Sequence, residues 1–214
     1  VAPSRGLGDV YKRQIYNDRK MKNLEEKQVK ICSCAVIGQH PTRFKFKYNE
    51  YMTSCKRIKK RMHDVFVSLY QRGVRCFFVG GALGVDMWAG EILLDMQRQV
   101  EYRELDVVMV CPFSGHDVRW DPKSQARQRK LREGCAKVLM GSEHPGAEGY
   151  KKRTEYMMGQ ADYVVAVYDN DPKHYSGVET AIGIAEKRNL SIVLIHPDTG
   201  IINIVDHYRE RHTD

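Results

Sequence analysis

The junction at residues 74–90, VRCFFV followed by GGALGVDMWAG, constrains the chain more than any other segment. A continuous apolar run turns at adjacent glycines into a pattern with helical spacing. That order reads as a buried strand, a tight turn and a helix. The same alternation recurs along the chain. Residues 31–37 (ICSCAVI), 106–111 (DVVMVC), 161–168 (ADYVVAVY) and 191–195 (SIVLI) are short β-branched runs, and KVLMG from Lys137 is a weaker one. Between them, helical spacing is read from Tyr51 to a stop at Gly73, over residues 124–135, over 150–160 and over 176–188. Parallel strands need crossover helices, and those helices cover both faces of the sheet. The expected fold is therefore an α/β, Rossmann-like three-layer sandwich with a mostly parallel sheet. The tail after Gly200 has no reading as strand or helix.

The chain of 214 residues, 42% hydrophobic and 29% charged, has the composition of one globular domain. No apolar run reaches the roughly 18 residues of a membrane helix. A cytoplasmic, membrane-free protein is expected, and a homo-oligomer is compatible with the sequence. The six cysteines form no C-x-x-C pair and mostly sit inside apolar patterns, so reduced buried thiols are expected and no metal site. The net charge of +8 raises nucleic acid as a partner. Residues 1–20, however, lack a hydrophobic period. They include DVYKRQ, which looks like translated library-adapter sequence, and they carry five basic against two acidic residues. That segment is expected to be non-native or disordered, with a single domain over 21–214 and a modest remaining charge of +5. Nucleic acid is not favoured: the basic residues of the Tyr51 helix lack interleaved aromatics.

In an open α/β sheet, ligands bind beyond the carboxyl ends of the strands. The polar segments of this chain follow strand ends. After the first strand come Gly38, His40 and Arg43. After the second, Gly80, Gly81 and Gly84 lack a β-carbon, so the turn reads either as a phosphate cradle at a helix start or as a turn relieved of crowding. Asp86 reads as a helix cap or a ligand contact. After the third strand, Phe113, His116, Arg119 and Trp120 suit base stacking and phosphate pairing, or a loop packed on its own aromatics. After residue 168, Ser176, Gly177 and Thr180 open another helix and offer hydroxyl donors, while Glu179 suits the helix dipole or a ribose hydroxyl. Arg153 and Arg43 are phosphate candidates, and His40 and His116 are candidate bases.

Taken in order, I-G-Q-H-P-T-R-F, V-G-G-A-L-G-V-D-M-W-A, P-F-S-G-H-D-V-R-W, K-R-T-E-Y-M, A-D-Y-V-V-A-V-Y-D and S-G-V-E-T-A-I-G-I-A resemble the YpsA-like (DUF1273) family of the SLOG superfamily over about residues 31–197. The resemblance implies a fold akin to DprA and the LOG phosphoribohydrolases, and a nucleotide or nucleotide-derived ligand, ADP-ribose-like or NAD-like, at the two glycine turns. This chain departs from the pattern at its first loop, where the usual T-G-H-R-P is Ile37, Gly38, Gln39, His40, Pro41, and at its last turn, where G-G-T is Ser176, Gly177, Val178. The glutamate of the LOG pattern falls on Gly183, so LOG-type glycosidic cleavage is not expected. A hydrolase acting through Asp86 or Glu179 and a DprA-like single-strand binder using Arg127, Arg129, Lys130 and Arg132 remain the alternatives. No cofactor is assigned beyond the nucleotide-derived ligand.

Overall fold

The computed structural model describes residues 32–169, 171 and 176–207. Residues 1–20, singled out above, lie outside the described residues, as do 170 and 172–175 in the loop before Ser176. Among the described residues seven strands form one sheet: β1 (Cys32–Gly38), β2 (Val74–Val79), β3 (Asp106–Phe113), β4 (Lys137–Ser142), β5 (Tyr163–Val167), β6 (Ser191–Ile195) and β7 (Ile202–Val205). Their order is β4-β3-β2-β1-β5-β6-β7, and every pairing is parallel except β6 with β7. The helices are α1 (Thr53–Gln71), α2 (Val85–Gln97), α3 (Pro122–Gly134), α4 (Ala147–Gln160) and α5 (Gly177–Lys187). The fold is a Rossmann-like three-layer α/β sandwich. Among the described residues, no helix is long and apolar enough to cross a membrane.

Alternation within the strands decides which side chains meet which helix layer. Cys34, Val36, Phe77, Val79, Val107 and Met109 face a core shared with α1, α2 and Leu131 of α3. Their neighbours Ala35, Ile37, Phe78, Val110, Val164 and Ala166 face a second core under α4 and α5. Both layers are needed because the central strands are buried on both sides, which is why they read as continuous apolar runs. Fully buried Trp88, Phe66 and Phe77 each contribute about 1.5–3 kcal/mol from burial. The tail that had no reading from sequence forms β7. It returns antiparallel through a tight turn in which the Gly200 N–H donates to the His196 carbonyl at 2.8 Å. A hairpin needs only such a turn, whereas a parallel strand would need another helix.

Two glycines set how closely the layers meet above β1. A β-carbon on Gly38 would stand 2.4 Å from the Val85 side chain, so its absence lets the start of α2 close on the end of β1. Gly84 has φ +86°, and a β-carbon there would stand 2.9 Å from Pro41 Cδ. The turn before α2 is thereby locked against the short 3-10 turn Pro41–Arg43.

An ion network ties the segment ahead of α1 to the outer helices. Arg127 of α3 pairs with Glu50 at 2.8 Å and with Glu91 of α2 at 2.7 Å, and Lys59 of α1 completes the set on Glu50. Burial alone would raise the Glu50 carboxyl. Arg127, Lys59 and the Trp88 indole N–H outweigh it and hold the pKa down to about 2. A folded pKa below the unfolded value adds stability that is fully present above the unfolded pKa, here 4.5, and is lost as pH falls toward 2. Glu50→Gln is therefore expected to cost about 2–3 kcal/mol at pH 7, with the gap narrowing below pH 4.5. Urea denaturation of both proteins at a series of pH values checks this, and a gap independent of pH contradicts it.

Candidate functional site

The sheet changes direction at β1. The chain leaves β1 for β2 through α1 on one face and leaves β5 for β6 through α5 on the other. Diverging loops at such a switch point leave a crevice beyond the strand ends. Here the crevice is a cleft of about 230 Å³. Gly38 borders it from the end of β1, His40 and Arg43 from the loop that follows, Gly80 and Ala82 from the turn after β2, Asp86 from the first turn of α2, and Ser176 and Gly177 from the start of α5. Arg153, Tyr150 and Met157 close it from α4.

The two glycine turns, 96 residues apart in sequence at Gly81 and Gly177, are thus brought to one hollow by the topology, and Gly80 and Ala82 rather than Gly81 line it. A β-carbon on Gly81 would point instead to Gln128 and Met109. Gly84 lines a different groove on the far side of the turn. Around Gly177 nothing among the described residues lies within 4 Å of where a β-carbon would be, so this face is open toward them.

Asp86 does not cap α2. Gly84 is the N-cap residue, and the carboxylate two residues later turns back to accept the Ala82 N–H at 3.4 Å. It also accepts from the Gly80 backbone. Asp86 therefore gives two amides of this turn, Gly80 and Ala82, a carboxylate partner from within the chain. Asp86 is 7% exposed, and burial raises its pKa; Arg153, the turn amides and His116 pull the other way without cancelling that rise. Arg153 Nη1 lies 4.0 Å from Asp86 Oδ2 and donates to the Gly80 carbonyl at 3.2 Å. Its buried Nε–H has no acceptor among the described residues. An orphaned buried donor costs free energy unless a water or a ligand supplies its acceptor.

Arg43 is held by Asp169, whose two oxygens lie 3.1 and 3.0 Å from Nη2. Burial would raise the Asp169 pKa, but Gln39, Arg43 and the Asp171 N–H bring it below its usual value. Glu179 accepts the Ser176 N–H at 2.8 Å and the Tyr168 hydroxyl, so its carboxylate is fixed on the side of a separate hollow between α5, β6 and β7. Burial, then Glu179, pushes the Tyr168 phenol well above its usual pKa. Thr180 is exposed and does not line the cleft.

Phe113 and Trp120 also stand outside the cleft lining. They pack edge-on against His116, and Phe113 packs against Tyr150, which does line it. His116 bridges the Phe113 and Gly81 carbonyls at 3.2 and 3.1 Å, tying that loop to the glycine turn. His40, the other candidate base, is exposed at the cleft rim beside Thr42. Tyr150 and Met157 were not singled out from sequence. Both lie three to four residues from Arg153, a helical spacing that puts them on its face of α4.

Among the described residues, no group of three or more His, Cys, Asp or Glu is arranged to hold a metal ion. The cleft offers one buried carboxylate, one guanidinium with an unused donor, and an apolar floor from Ile37, Met157 and Val178. Because Arg153 favours the charged form of Asp86, Arg153→Met is expected to raise the Asp86 pKa further. Carbon-detected titration of the Asp86 carboxyl reads the change, and an unchanged midpoint contradicts the coupling.

Comparisons with known proteins agree with this architecture. The YspA SLOG family (YpsA) matches residues 34–199. A UPF0398 protein of Bacillus cereus is 27% identical over 154 residues, covering 69% of this chain and 80% of the relative. A UPF0398 protein of Staphylococcus epidermidis is 23% identical over 143 residues, covering 63% and 74%. Among solved structures, DNA processing protein A (DprA) from Streptococcus pneumoniae shares the fold, with a TM-score of 0.51 at 16% identity over 78% of this chain. This chain spans 51% of that one. With the family's match running from β1 to the turn before β7, the chain belongs to the YspA SLOG family.

Proposed function

We propose that the protein binds or senses a nucleotide-derived small molecule, ADP-ribose-like or NAD-like, in the switch-point cleft. The observation that carries this reading is the convergence of the β2–α2 and β5–α5 turns on Arg153, a half-buried cation whose buried Nε–H is unused among the described residues. Asp86 and the apolar floor suit a hydroxylated, partly apolar group such as a nucleoside: the carboxylate accepts from hydroxyls, while Ile37, Met157 and Val178 take a ring face. A cytoplasmic setting fits such a ligand and fits six unbridged cysteines.

Hydrolysis of an N-glycosidic or phosphate bond is the second reading. It draws on Asp86 alone, whose pKa burial raises above its usual value, the direction that suits a general acid or base. Glu179 adds nothing to it, being engaged by Tyr168 and Ser176. Single-strand nucleic-acid binding through α3 is less supported, because Arg127 is committed to Glu50 and Glu91, and Arg132 lies 3.7 Å from Asp117.

A thermal-shift panel of ADP-ribose, NAD, AMP and adenosine tests the leading reading. A ligand at about 100 times its dissociation constant adds roughly 2.7 kcal/mol to stability. Gly177→Val strikes no neighbour among the described residues, so it is expected to keep the wild-type melting temperature and to weaken binding at least tenfold. Undiminished binding in that variant removes the cleft as the site. Chromatography of the incubated ligand separates a sensor, which returns it intact, from a hydrolase.

A further inference from the structure

The cleft is small for the ligand just proposed. At about 230 Å³ it falls below the roughly 300–1,000 Å³ of small-molecule sites, so a nucleotide seated there projects beyond it. Across a partition made by Pro41, Leu83 and Gly84 lies a groove of about 590 Å³. Leu83 lines both spaces. His40 on the cleft side and Tyr48 on the groove side meet edge to face at 6.0 Å, so the two rims are continuous.

The two spaces differ in charge. In the cleft, Arg153 stands against Asp86 and Arg43 against Asp169, which leaves little net charge. The groove is bordered by five cations, Lys47, Lys56, Lys59, Lys123 and Arg127, against the carboxylates of Glu50 and Asp121. Glu50 is neutralised by Lys59 and Arg127. Asp121 is the N-cap of α3 and accepts the N–H groups of Lys123 and Ser124, each at 3.0 Å. Lys47, Lys56 and the Lys123 ammonium are exposed and make no ion pair among the described residues. Tyr48 and Tyr51, 58% and 80% exposed, line the same groove.

We infer that the groove is the anion subsite of a two-part ligand. The nucleoside-like part occupies the cleft, and one or more phosphoryl groups cross Leu83 to lie among Lys47, Lys56 and Lys123. The inference rests on the cleft reading. It moves the phosphate away from the glycine turn, where Asp86 already engages the Gly80 and Ala82 amides, to the place where positive charge is unspent among the described residues. A free nucleotide and a nucleic-acid strand share this phosphoryl chemistry. The free nucleotide is favoured because the groove adjoins a small cleft of about 230 Å³ rather than a second channel, and because Arg127 and Arg132 are held in ion pairs.

Calorimetric titration of the full chain with adenosine, ADP-ribose, inorganic tripolyphosphate and the oligonucleotide (dT)12, at low and high salt, tests it. The proteins are wild type, Gly177→Val and the double variant Lys56→Ala/Lys123→Ala, whose lysines are exposed. Tripolyphosphate is expected to bind wild type and Gly177→Val equally, about tenfold or more weaker in the double variant, and weaker at high salt. ADP-ribose should lose affinity in both variants, adenosine only in Gly177→Val. Tripolyphosphate binding unchanged in the double variant overturns the anion subsite, whatever the nucleosides do. Lysine-dependent binding of (dT)12 without binding of tripolyphosphate or ADP-ribose assigns the groove to a strand and overturns the two-part ligand. Lysine-dependent tripolyphosphate binding with no adenosine or ADP-ribose bound to wild type overturns the cleft reading and leaves the anion site standing.

Discussion

A carboxylate sealed beneath a glycine turn holds this site together. Asp86 draws the Gly80 and Ala82 amides inward, faces Arg153 across the sheet end, and is pressed into place by the close approach of α2 to β1 at Gly38. Burying that charge is costly, and Arg153 and the turn amides only partly offset it. The turn, the start of α2 and the face of α4 that carries Arg153 are consequently one unit. Displacing any of them leaves a buried charge without its partners.

This arrangement alters what a glycine-rich turn can be taken to mean. Amides bared by missing side chains suggest a waiting anion site. In this protein the Gly80 and Ala82 amides of the first turn are met by Asp86 and the Ser176 N–H by Glu179. The glycines serve close packing at Gly38 and Gly84 and an open wall at Gly177. Positive charge without a partner lies next door, in the groove behind Leu83, which is why the inferred ligand has two chemically distinct ends.

The sheet and its crossovers were legible in the sequence because a strand buried on both faces leaves an unbroken apolar run and each helix begins after a polar loop. β7 was not: four residues at an edge, exposed except for Ile202, carry no alternation strong enough to read. The cleft's membership was legible in Gly38, Arg43, Gly80, Arg153, Ser176 and Gly177, all near strand ends or on a helix facing them. The direction of a side chain was not. Sequence spacing cannot tell whether Glu179 turns to the cleft or to Tyr168, nor that Phe113 and Trp120 spend their faces on His116. The groove was invisible for another reason, since Lys47, Lys56 and Lys123 come from a loop, α1 and α3 and meet only in the folded chain.

Amide chemical-shift mapping of the isotope-labelled protein with ADP-ribose tests the central claim most directly. Ligand held in the cleft must perturb the amides of Gly38 and Gln39, of Gly80 through Leu83, and of Ser176 through Val178 together, with the Arg153 side-chain resonances. Perturbations confined to the hollow between α5, β6 and β7, or to the edge at β7, with those three segments unmoved, would contradict it.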